Sequence, residues 1–313
     1  MKAVVVEHLH EKGTLKEWPV PAVGSSDVLV AVAVAGINPV DWKTRDQARR
    51  PLPFVLGQDF SGLVTEVGDE VRRYRPGERL FGIARKHGSY AEYTLVPEDD
   101  HAQPVAKIPD DVGDADAAAL PTAGLTALAS LEELRVGSGT TLLVLGATGG
   151  VGSLAVQIAR ARGARVIGTA RSTNEQLARS LGVDEFVAYD ADDVVDAVRR
   201  SHSKGVDAVL DLVDDADSIK PKADVIRADG RIVSTIGACD VDWFAARKIA
   251  AKNLVLFETP ASSHDGLRTL VKMLEEGRLR VPIAKERPLA EAAQALDESK
   301  EGRVDGKLVL TVE

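Results

Sequence analysis

Cysteine is nearly absent from this chain, which carries Cys239 alone among 313 residues. A single thiol excludes a disulfide within the chain and any zinc site that is built from several cysteines. Basic residues are also the minority, since 39 lysines and arginines stand against 48 aspartates and glutamates, for a net charge of −9. Because this acid excess comes without a basic cluster in the sequence, nucleic-acid binding is not expected.

A long apolar run is missing as well. The N-terminal run Ala3–Val6 is too short for a signal peptide or a membrane span. We therefore expect no membrane association and a cytoplasmic location. The hydrophobic content of 44% and the charged content of 28% are typical of a globular protein, and the length suffices for two domains.

A cluster of glycines joins an apolar strand, Thr141–Leu145, to a helical pattern that runs to Gly163. A helix that begins on such a turn directs its unpaired N–H groups and its positive dipole end at one point, which suits a pyrophosphate. The alternative is a glycine-rich loop in an ordinary α/β crossover. The pattern favours dinucleotide binding. The residues predicted to contact the cofactor here are Ala147, Thr148, Gly149, Gly150 and Val151.

Strands and helices alternate after residue 141, which predicts a doubly wound, six-stranded parallel sheet in an α/β fold. The predicted strands are Thr141–Leu145, Arg165–Thr169, Glu185–Tyr189, Ala208–Val213, Arg231–Ile236 and Asn253–Phe257. The predicted helices between them include Asn174–Leu181, Asp193–Ser201 and Ala216–Ala228.

The first hundred residues are instead rich in short valine-containing segments that glycine and proline separate. This spacing predicts a β-barrel or sandwich. A final strand, Gly306–Val312, resumes that character after two helices, Gly266–Glu276 and Ala290–Glu298. We therefore predict one domain formed by residues 1–118 and 260–313 and a second formed by residues 119–259.

The end of the second strand of the parallel sheet indicates which dinucleotide binds. An acidic side chain at this point would bind the ribose 2′-hydroxyl of NADH, but the sequence reads Gly168-Thr-Ala-Arg-Ser-Thr173. Arg171 offers a cation and Ser172 a neutral donor to the 2′-phosphate of NADPH. NADPH is therefore favoured, the alternative being a solvated arginine at a strand end.

The order of these parts resembles the medium-chain dehydrogenase/reductase superfamily. The matching segments are Leu120-Pro-Thr-Ala-Gly-Leu-Thr-Ala127, Gly146-Ala-Thr-Gly-Gly-Val-Gly152 and Gly306-Lys-Leu-Val-Leu310. Within the superfamily the chain looks like the zinc-independent NADPH:quinone oxidoreductase, zeta-crystallin-like branch, which commonly has alanine after the first glycine of the turn. The resemblance implies a GroES-like β-rich catalytic domain, a Rossmann domain and a homodimer.

The resemblance also bears on metal binding. The zinc enzymes of the superfamily have cysteine and histidine where this chain has Asn38 and Gln58, which are poor zinc ligands. We therefore expect no metal site. Without a Lewis acid, acceptors that already take hydride readily are favoured over simple alcohol oxidation, namely quinones and α,β-unsaturated carbonyls.

Several residues are predicted to act in this chemistry. Asn38 either hydrogen-bonds the substrate carbonyl or developing enolate, or serves only as a turn residue before Pro39. Lys307 either reaches the cofactor or faces the solvent, and Asp41 and Arg45 are candidates for an ion pair. Further predicted cofactor contacts are Thr126, Leu212, Val213, Ile236 and Gly237.

Three functions are compatible with the sequence. The leading hypothesis is an NADPH-dependent reductase of quinones or conjugated enones. A second is an enoyl-thioester reductase, for which a carrier-protein or CoA substrate would call for a basic rim. A third is an NADPH-binding redox sensor without turnover.

Overall fold

Short, valine-rich strands fill the first hundred residues, and alternating strands and helices follow. A computed structural model describes residues 1–8, 10–47, 49–302 and 304–312. In these residues the strands are β1 Lys2–Val6, β2 Thr14–Glu17, β3 Asp27–Ile37, β4 Phe54–Val55, β5 Asp59–Val67, β6 Arg79–Ile83, β7 Tyr93–Pro97, β8 Val105–Lys107, β9 Thr141–Leu145, β10 Arg165–Ala170, β11 Glu185–Ala188, β12 Val206–Asp211, β13 Ile226–Ser234, β14 Ala250–Asn253, β15 Ile283–Pro288 and β16 Lys307–Thr311. The helices are α1 Pro39–Gln47, α2 Asp114–Ala119, α3 Pro121–Glu133, α4 Gly150–Ala161, α5 Glu175–Leu181, α6 Val194–Ser201, α7 Val241–Ala245, α8 His264–Glu275 and α9 Ala292–Lys300.

The chain divides into a first unit, Met1–Leu125 with Ser262–Glu313, and a second unit, Thr126–Ala261. The first unit is organised around β3, whose residues are almost all buried. This strand pairs antiparallel with β5, β7 and β16. The pairing with β16 aligns Leu308 with Ile37, so residues far apart in the sequence meet at the end of β3.

The second unit holds a parallel sheet of six strands in the order β11-β10-β9-β12-β13-β14. The central strands β9 and β12 are buried along almost their whole length, as is typical of a parallel sheet that helices cover on both faces. The α/β fold with a β-rich part and a six-stranded parallel sheet is confirmed. Among the described residues, none of the helices has both the length and the apolar character needed to cross a bilayer.

Two predicted elements of the second unit are wrong. In place of a helix at Ala216–Ala228, the chain forms a short 3-10 turn, Lys220–Val225, and then enters β13. Pro221 lacks a backbone N–H, and Ile226 pairs with Val206 of β12, so pairing in the sheet prevails over helix formation. The sixth strand lies at 250–253 and not at 253–257, because this edge strand alternates exposed and half-buried residues and has no apolar run to mark it.

Candidate functional site

The glycine turn after β9 contains two glycines that the fold itself requires. Gly146 has a φ of +88°, a conformation that side chains rarely tolerate. A Cβ on Gly152 would lie 2.0 Å from the carbonyl oxygen of Gly146, so the first turn of α4 can approach β9 only without a side chain there. These two residues fix the sharp entry into the helix.

Gly149 differs from these two, because neither its backbone nor its packing requires glycine. Its φ is −73°, and the nearest atom to an added Cβ would be the Gly146 oxygen at an ordinary 3.5 Å. Gly149 is the N-cap of α4 and has no side chain that could accept from the unpaired N–H groups of the helix. A turn that stays bare at this point fits an anionic pyrophosphate above the helix.

Ala147 occupies the first of the three glycine positions without strain. It is fully buried and is not among the residues with positive φ. A Cβ on Gly168 of β10 would lie 2.9 Å from the Ala147 Cβ, so the methyl group uses space that a glycine on the next strand leaves. The alanine is therefore compatible with the tight turn.

The order of the strands reverses between β9 and β12, which is where doubly wound sheets bind their ligands. Val213 follows β12 with 61% of its surface exposed, and its Cγ1 lies 2.8 Å from where a Cβ of Gly146 would stand. Ile236, after β13, is 42% exposed. Two large apolar side chains thus remain exposed at this edge of the sheet, as a site for an apolar ring needs.

Asp211 holds this edge of the sheet in place, and the sequence analysis missed it. Its buried carboxylate accepts hydrogen bonds from the backbone N–H groups of Val213, at 3.1 Å, and Asp214, at 2.9 Å. Burial raises the pKa of Asp211. The signal in the sequence is an aspartate that ends an apolar strand directly before predicted contact residues.

The end of β10 has no acidic residue of its own, but a carboxylate from the segment after β11 lies beside it. Arg171 Nε donates to the Tyr189 hydroxyl at 3.1 Å. The backbone N–H and the hydroxyl of Ser172 donate to the carboxylate of Asp190 at 2.8 and 2.9 Å. Because β11 lies parallel to β10 in the sheet, it carries a carboxylate to the point where β10 itself has none. No local pattern at 168–173 could have shown this.

In the first unit, Asn38 lies between β3 and α1 with only 2% of its surface exposed. Its Nδ2 donates to Asp59 at 2.8 Å, and its Oδ1 accepts from Lys307 Nζ at 2.5 Å. The Lys307 ammonium also donates to the Ile37 carbonyl at 2.7 Å. An anion on one end and a cation on the other fix the orientation of the amide, with the oxygen turned to Lys307.

Two buried carboxylates surround this amide. Asp41 Oδ2 accepts from the Asn38 backbone N–H at 2.8 Å and from the Tyr90 hydroxyl at 3.0 Å. Asp59 accepts from the backbone N–H and hydroxyl of Thr122 at 3.0 and 2.5 Å. Burial raises the pKa of Asp41 to about 7 and also raises that of Asp59. Burial lowers the pKa of Lys307, whose ammonium is bonded to the Asn38 amide.

The structure excludes two of the alternatives that the sequence left in this region. Lys307 is 3% exposed, which excludes the solvent-facing alternative. Arg45 does not pair with Asp41 but with Asp46 at 2.7 Å and Asp297 at 3.1 Å, because the Asp41 carboxylate turns toward the Asn38 N–H and Tyr90.

Gln58 donates to the Thr122 hydroxyl at 2.8 Å. Within the described ranges, no three His, Cys, Asp or Glu residues are grouped so that they could hold a metal ion.

Comparison with known proteins places this arrangement in a family. The alcohol dehydrogenase GroES-like domain matches residues 24–110, and the family described as zinc-binding dehydrogenase matches residues 181–310. The chloroplast envelope quinone oxidoreductase homolog of Arabidopsis thaliana is 30% identical over 311 residues, which cover 93% of this chain and 92% of that protein. The chain belongs to the quinone oxidoreductase family. The resemblance to the quinone oxidoreductase branch of the medium-chain dehydrogenase/reductase superfamily is thereby confirmed, and so is an oxidoreductase function.

Two further relatives of this quinone oxidoreductase family member are informative. The solved structure of the quinone oxidoreductase from Coxiella burnetii superposes with a TM-score of 0.90 at 32% identity and covers 100% of this chain and 99% of that one. The NADPH-dependent alkenal/one oxidoreductase of Arabidopsis thaliana chloroplasts is 31% identical, and the match covers 93% of this chain and 73% of that protein.

The predicted site residues of this family member fall into three places. One set lies at the carboxyl edge of the parallel sheet and comprises Ala147, Thr148, Gly149, Gly150, Val151, Arg171, Ser172, Leu212, Val213, Ile236 and Gly237. Asn38 and Lys307 are bonded to each other in the first unit. Thr126 is buried in α3, where its carbonyl accepts from the Ser130 hydroxyl at 2.7 Å. Their individual roles stay predictions.

Proposed function

We propose that this protein is an NADPH-dependent reductase of quinones and α,β-unsaturated carbonyls. The observation that carries the proposal is the bare Gly149 turn at the N-terminus of α4, where a pyrophosphate fits. The relative that is named an NADPH-dependent alkenal/one oxidoreductase supports both the cofactor and the acceptor class. When bound, NADPH supplies a hydride from its nicotinamide ring to the electron-poor carbon of the acceptor.

Residues of the second unit would bind and orient the cofactor. The first N–H groups of α4 would bind the pyrophosphate, and the Arg171 guanidinium would pair with the 2′-phosphate. Val213 and Ile236 would cover the apolar ring and exclude water from it. Leu212 and Gly237 stand beside them at the same edge of the sheet and belong to the same proposed contact set.

We propose that the reaction proceeds without zinc. Asn38 and Gln58 are neutral amides, and both are already engaged in hydrogen bonds within the protein. The Lys307 ammonium, 2.5 Å from Asn38 Oδ1, would repel a divalent cation from this amide. Acceptors that need no Lewis acid to accept hydride are therefore the ones this site suits.

Asn38 would act as a hydrogen-bond donor to the acceptor. Lys307 holds the amide oxygen and Asp59 takes one Nδ2 hydrogen, so the second Nδ2 hydrogen is what the amide can still donate. A donor aimed at a carbonyl stabilises the enolate or quinol oxyanion that hydride transfer creates. Asp59 and Lys307 would then be positioning residues for Asn38.

Steady-state oxidation of NADPH tests the proposal. Turnover with 9,10-phenanthrenequinone, 1,4-benzoquinone or a conjugated enone is expected, with a higher kcat/KM for NADPH than for NADH. Tight NADPH binding without turnover of any acceptor would favour the redox sensor instead. Asn38→Ala should lower kcat, whereas Lys204→Gln, an exposed site in the second unit, should not. An unchanged kcat in Asn38→Ala would remove Asn38 from the mechanism.

We further propose a homodimer, a cytoplasmic location, and domain boundaries that divide residues 1–118 and 260–313 from residues 119–259. Light scattering on the purified protein tests the first of these, and a monomeric mass would contradict it. Limited proteolysis tests the boundaries, since cleavage is expected in the segments that join the domains.

A further inference from the structure

Basic side chains that are scattered in the sequence meet in the first unit. We use the name basic cluster for Arg50, Arg85 and Lys86. Arg85 is near enough to Arg50 for its charge to lower the pKa of Arg50, and Lys86 follows Arg85 in the sequence. Among the described residues, no carboxylate oxygen lies within 4.0 Å of Arg50 or Lys86. Arg45 differs, because it pairs with two aspartates. The acid excess of the whole chain therefore conceals a local excess of positive charge.

Arg50 is held in place by neutral groups. Its Nη1 donates to the Val55 carbonyl at 3.0 Å, and the carbon of its guanidinium group lies 5.5 Å from the centre of the Phe54 ring. A guanidinium has five N–H donors, so most of them remain for another partner. Neither the Val55 carbonyl nor the Phe54 ring carries a charge. These contacts therefore fix the Arg50 guanidinium in position without neutralising its positive charge.

A tight turn brings the second part of the cluster to the same carbonyl group. Gly88 has a φ of +78°, and a Cβ on it would lie 2.4 Å from the Val55 oxygen. The backbone of the turn that carries Arg85 and Lys86 therefore packs directly on Val55. The Lys86 N–H donates to Gln103 Oε1 at 3.0 Å, which fixes the turn.

The electrostatic environment agrees with this geometry. Burial lowers the pKa of Arg50. The charge of buried Asp41 raises this pKa, and the charge of nearby Arg85 lowers it. Burial likewise lowers the pKa of His87, which follows Lys86 in the same turn. The positive charges of Lys86 and Arg50 lower this pKa further. An anion placed at the cluster would relieve this repulsion.

The basic cluster adjoins the Asn38 site through a single segment, β4 and the residue after it. Val55 accepts from Arg50, and the next residue, Leu56, accepts from the Tyr90 backbone N–H at 2.9 Å. The Tyr90 hydroxyl donates in turn to Asp41, which holds the backbone of Asn38. The charge of Asp41 also raises the pKa of Arg50, so the Arg50 guanidinium lies near the Asn38 site.

We propose that the basic cluster binds an oxyanionic group, a carboxylate or a phosphate, that is carried by the electron acceptor. This inference rests on the proposed function and narrows its substrate class to charged enones, quinones or thioesters. The oxyanion would pair with the fixed Arg50 guanidinium and with the exposed Lys86 ammonium. The cluster would then select acceptors by charge, whereas Asn38 would act on the reacting carbonyl.

Matched neutral and anionic acceptors test this inference. The pairs are 3-penten-2-one with 4-oxopent-2-enoate, which adds a carboxylate, and crotonyl-N-acetylcysteamine with crotonyl-CoA, which adds phosphates. Arg50→Gln and Lys86→Gln should each lower kcat/KM for the anionic member by about tenfold, the equivalent of one charge-assisted hydrogen bond. The loss should come from KM. The neutral member should be unaffected in both variants and in the control variant Lys204→Gln.

Inorganic phosphate provides a second measurement. It should inhibit the wild-type protein competitively against the anionic acceptor and inhibit Lys86→Gln more weakly. Equal losses for neutral and anionic acceptors would overturn the proposal, and so would phosphate inhibition that is the same in both proteins. Lys86 is exposed, so its variant folds even if loss of the half-buried Arg50 harms the protein. Failure of the proposed function is a different result, namely no turnover of any acceptor, neutral or anionic.

Discussion

Replacement of Asp41 by asparagine should stabilise the protein at neutral pH, by an amount that depends on pH. Asp41 Oδ2 accepts two hydrogen bonds, from the Asn38 N–H and the Tyr90 hydroxyl, and an asparagine carbonyl can accept both. What the substitution removes is the charge. Burial raises the pKa of Asp41 to about 7, and the carboxylate of Asp59 adds to this shift.

The magnitude follows from the difference between this pKa and the ordinary aspartate value of about 3.9. A carboxyl group with a raised pKa binds more protons in the folded state, so its contribution to the free energy of unfolding falls as the pH rises between the two values. Since one pKa unit is worth about 1.4 kcal/mol, ionised Asp41 costs the folded state up to about 4 kcal/mol. The advantage of Asp41→Asn should therefore be small near about pH 4, grow toward pH 7 and then level off.

Urea unfolding followed by circular dichroism at a series of pH values between about 5 and 8 measures this difference. Asp111→Asn, which removes an exposed carboxylate from the same unit, is the matched control for the loss of one negative charge. A stability difference for Asp41→Asn that is the same at both ends of the pH range would refute the reasoning. A loss of stability at the upper end would refute it as well.

Further predictions concern the second unit. Gly152→Ala should lower its melting temperature strongly, because the new Cβ would lie 2.0 Å from the Gly146 oxygen. Gly149→Ala should leave the melting temperature nearly unchanged but weaken NADPH binding in a fluorescence titration, and unchanged binding would contradict the placement of the pyrophosphate. Asp190→Asn should raise the ratio of kcat/KM for NADPH over NADH, because it removes negative charge beside Ser172. A constant ratio would show that Asp190 does not act on the cofactor.

Features that depend on neighbouring residues could be predicted from the sequence. The glycine turn, its strand and its helix are contiguous, and the requirement for glycine at 146 and 152 follows from local backbone geometry. The helix expected at 216–228 failed because pairing of Ile226 with β12 decides its structure, and that pairing depends on a distant strand.

The chemical environment of the site depends on contacts between distant segments, which the sequence pattern does not reveal. Asp190 reaches Ser172 from a neighbouring strand, 18 residues away. Lys307 reaches Asn38 from 269 residues away, because β16 pairs with β3. Each of these residues looks like an ordinary polar residue at the end of a strand until the register of the sheet is known. The basic cluster is hidden in the same way, since the turn that carries Lys86 packs on Val55, the residue that Arg50 contacts.

Because β16 pairs with β3, the Asn38 site can be completed only late in synthesis on the ribosome. Asn38 and Asp59 leave the ribosome long before Lys307. Most of the polypeptide is therefore synthesised before the Lys307 ammonium can contact Asn38. Thr126–Ala261 emerges as one uninterrupted stretch and is free to fold in the meantime. The nascent first unit meanwhile carries two aspartates destined for burial without the cation that accompanies them. Translation that stops before Lys307 would leave Asp41 and Asp59 without this cation. The truncated protein would then be less stable and would be degraded by proteases.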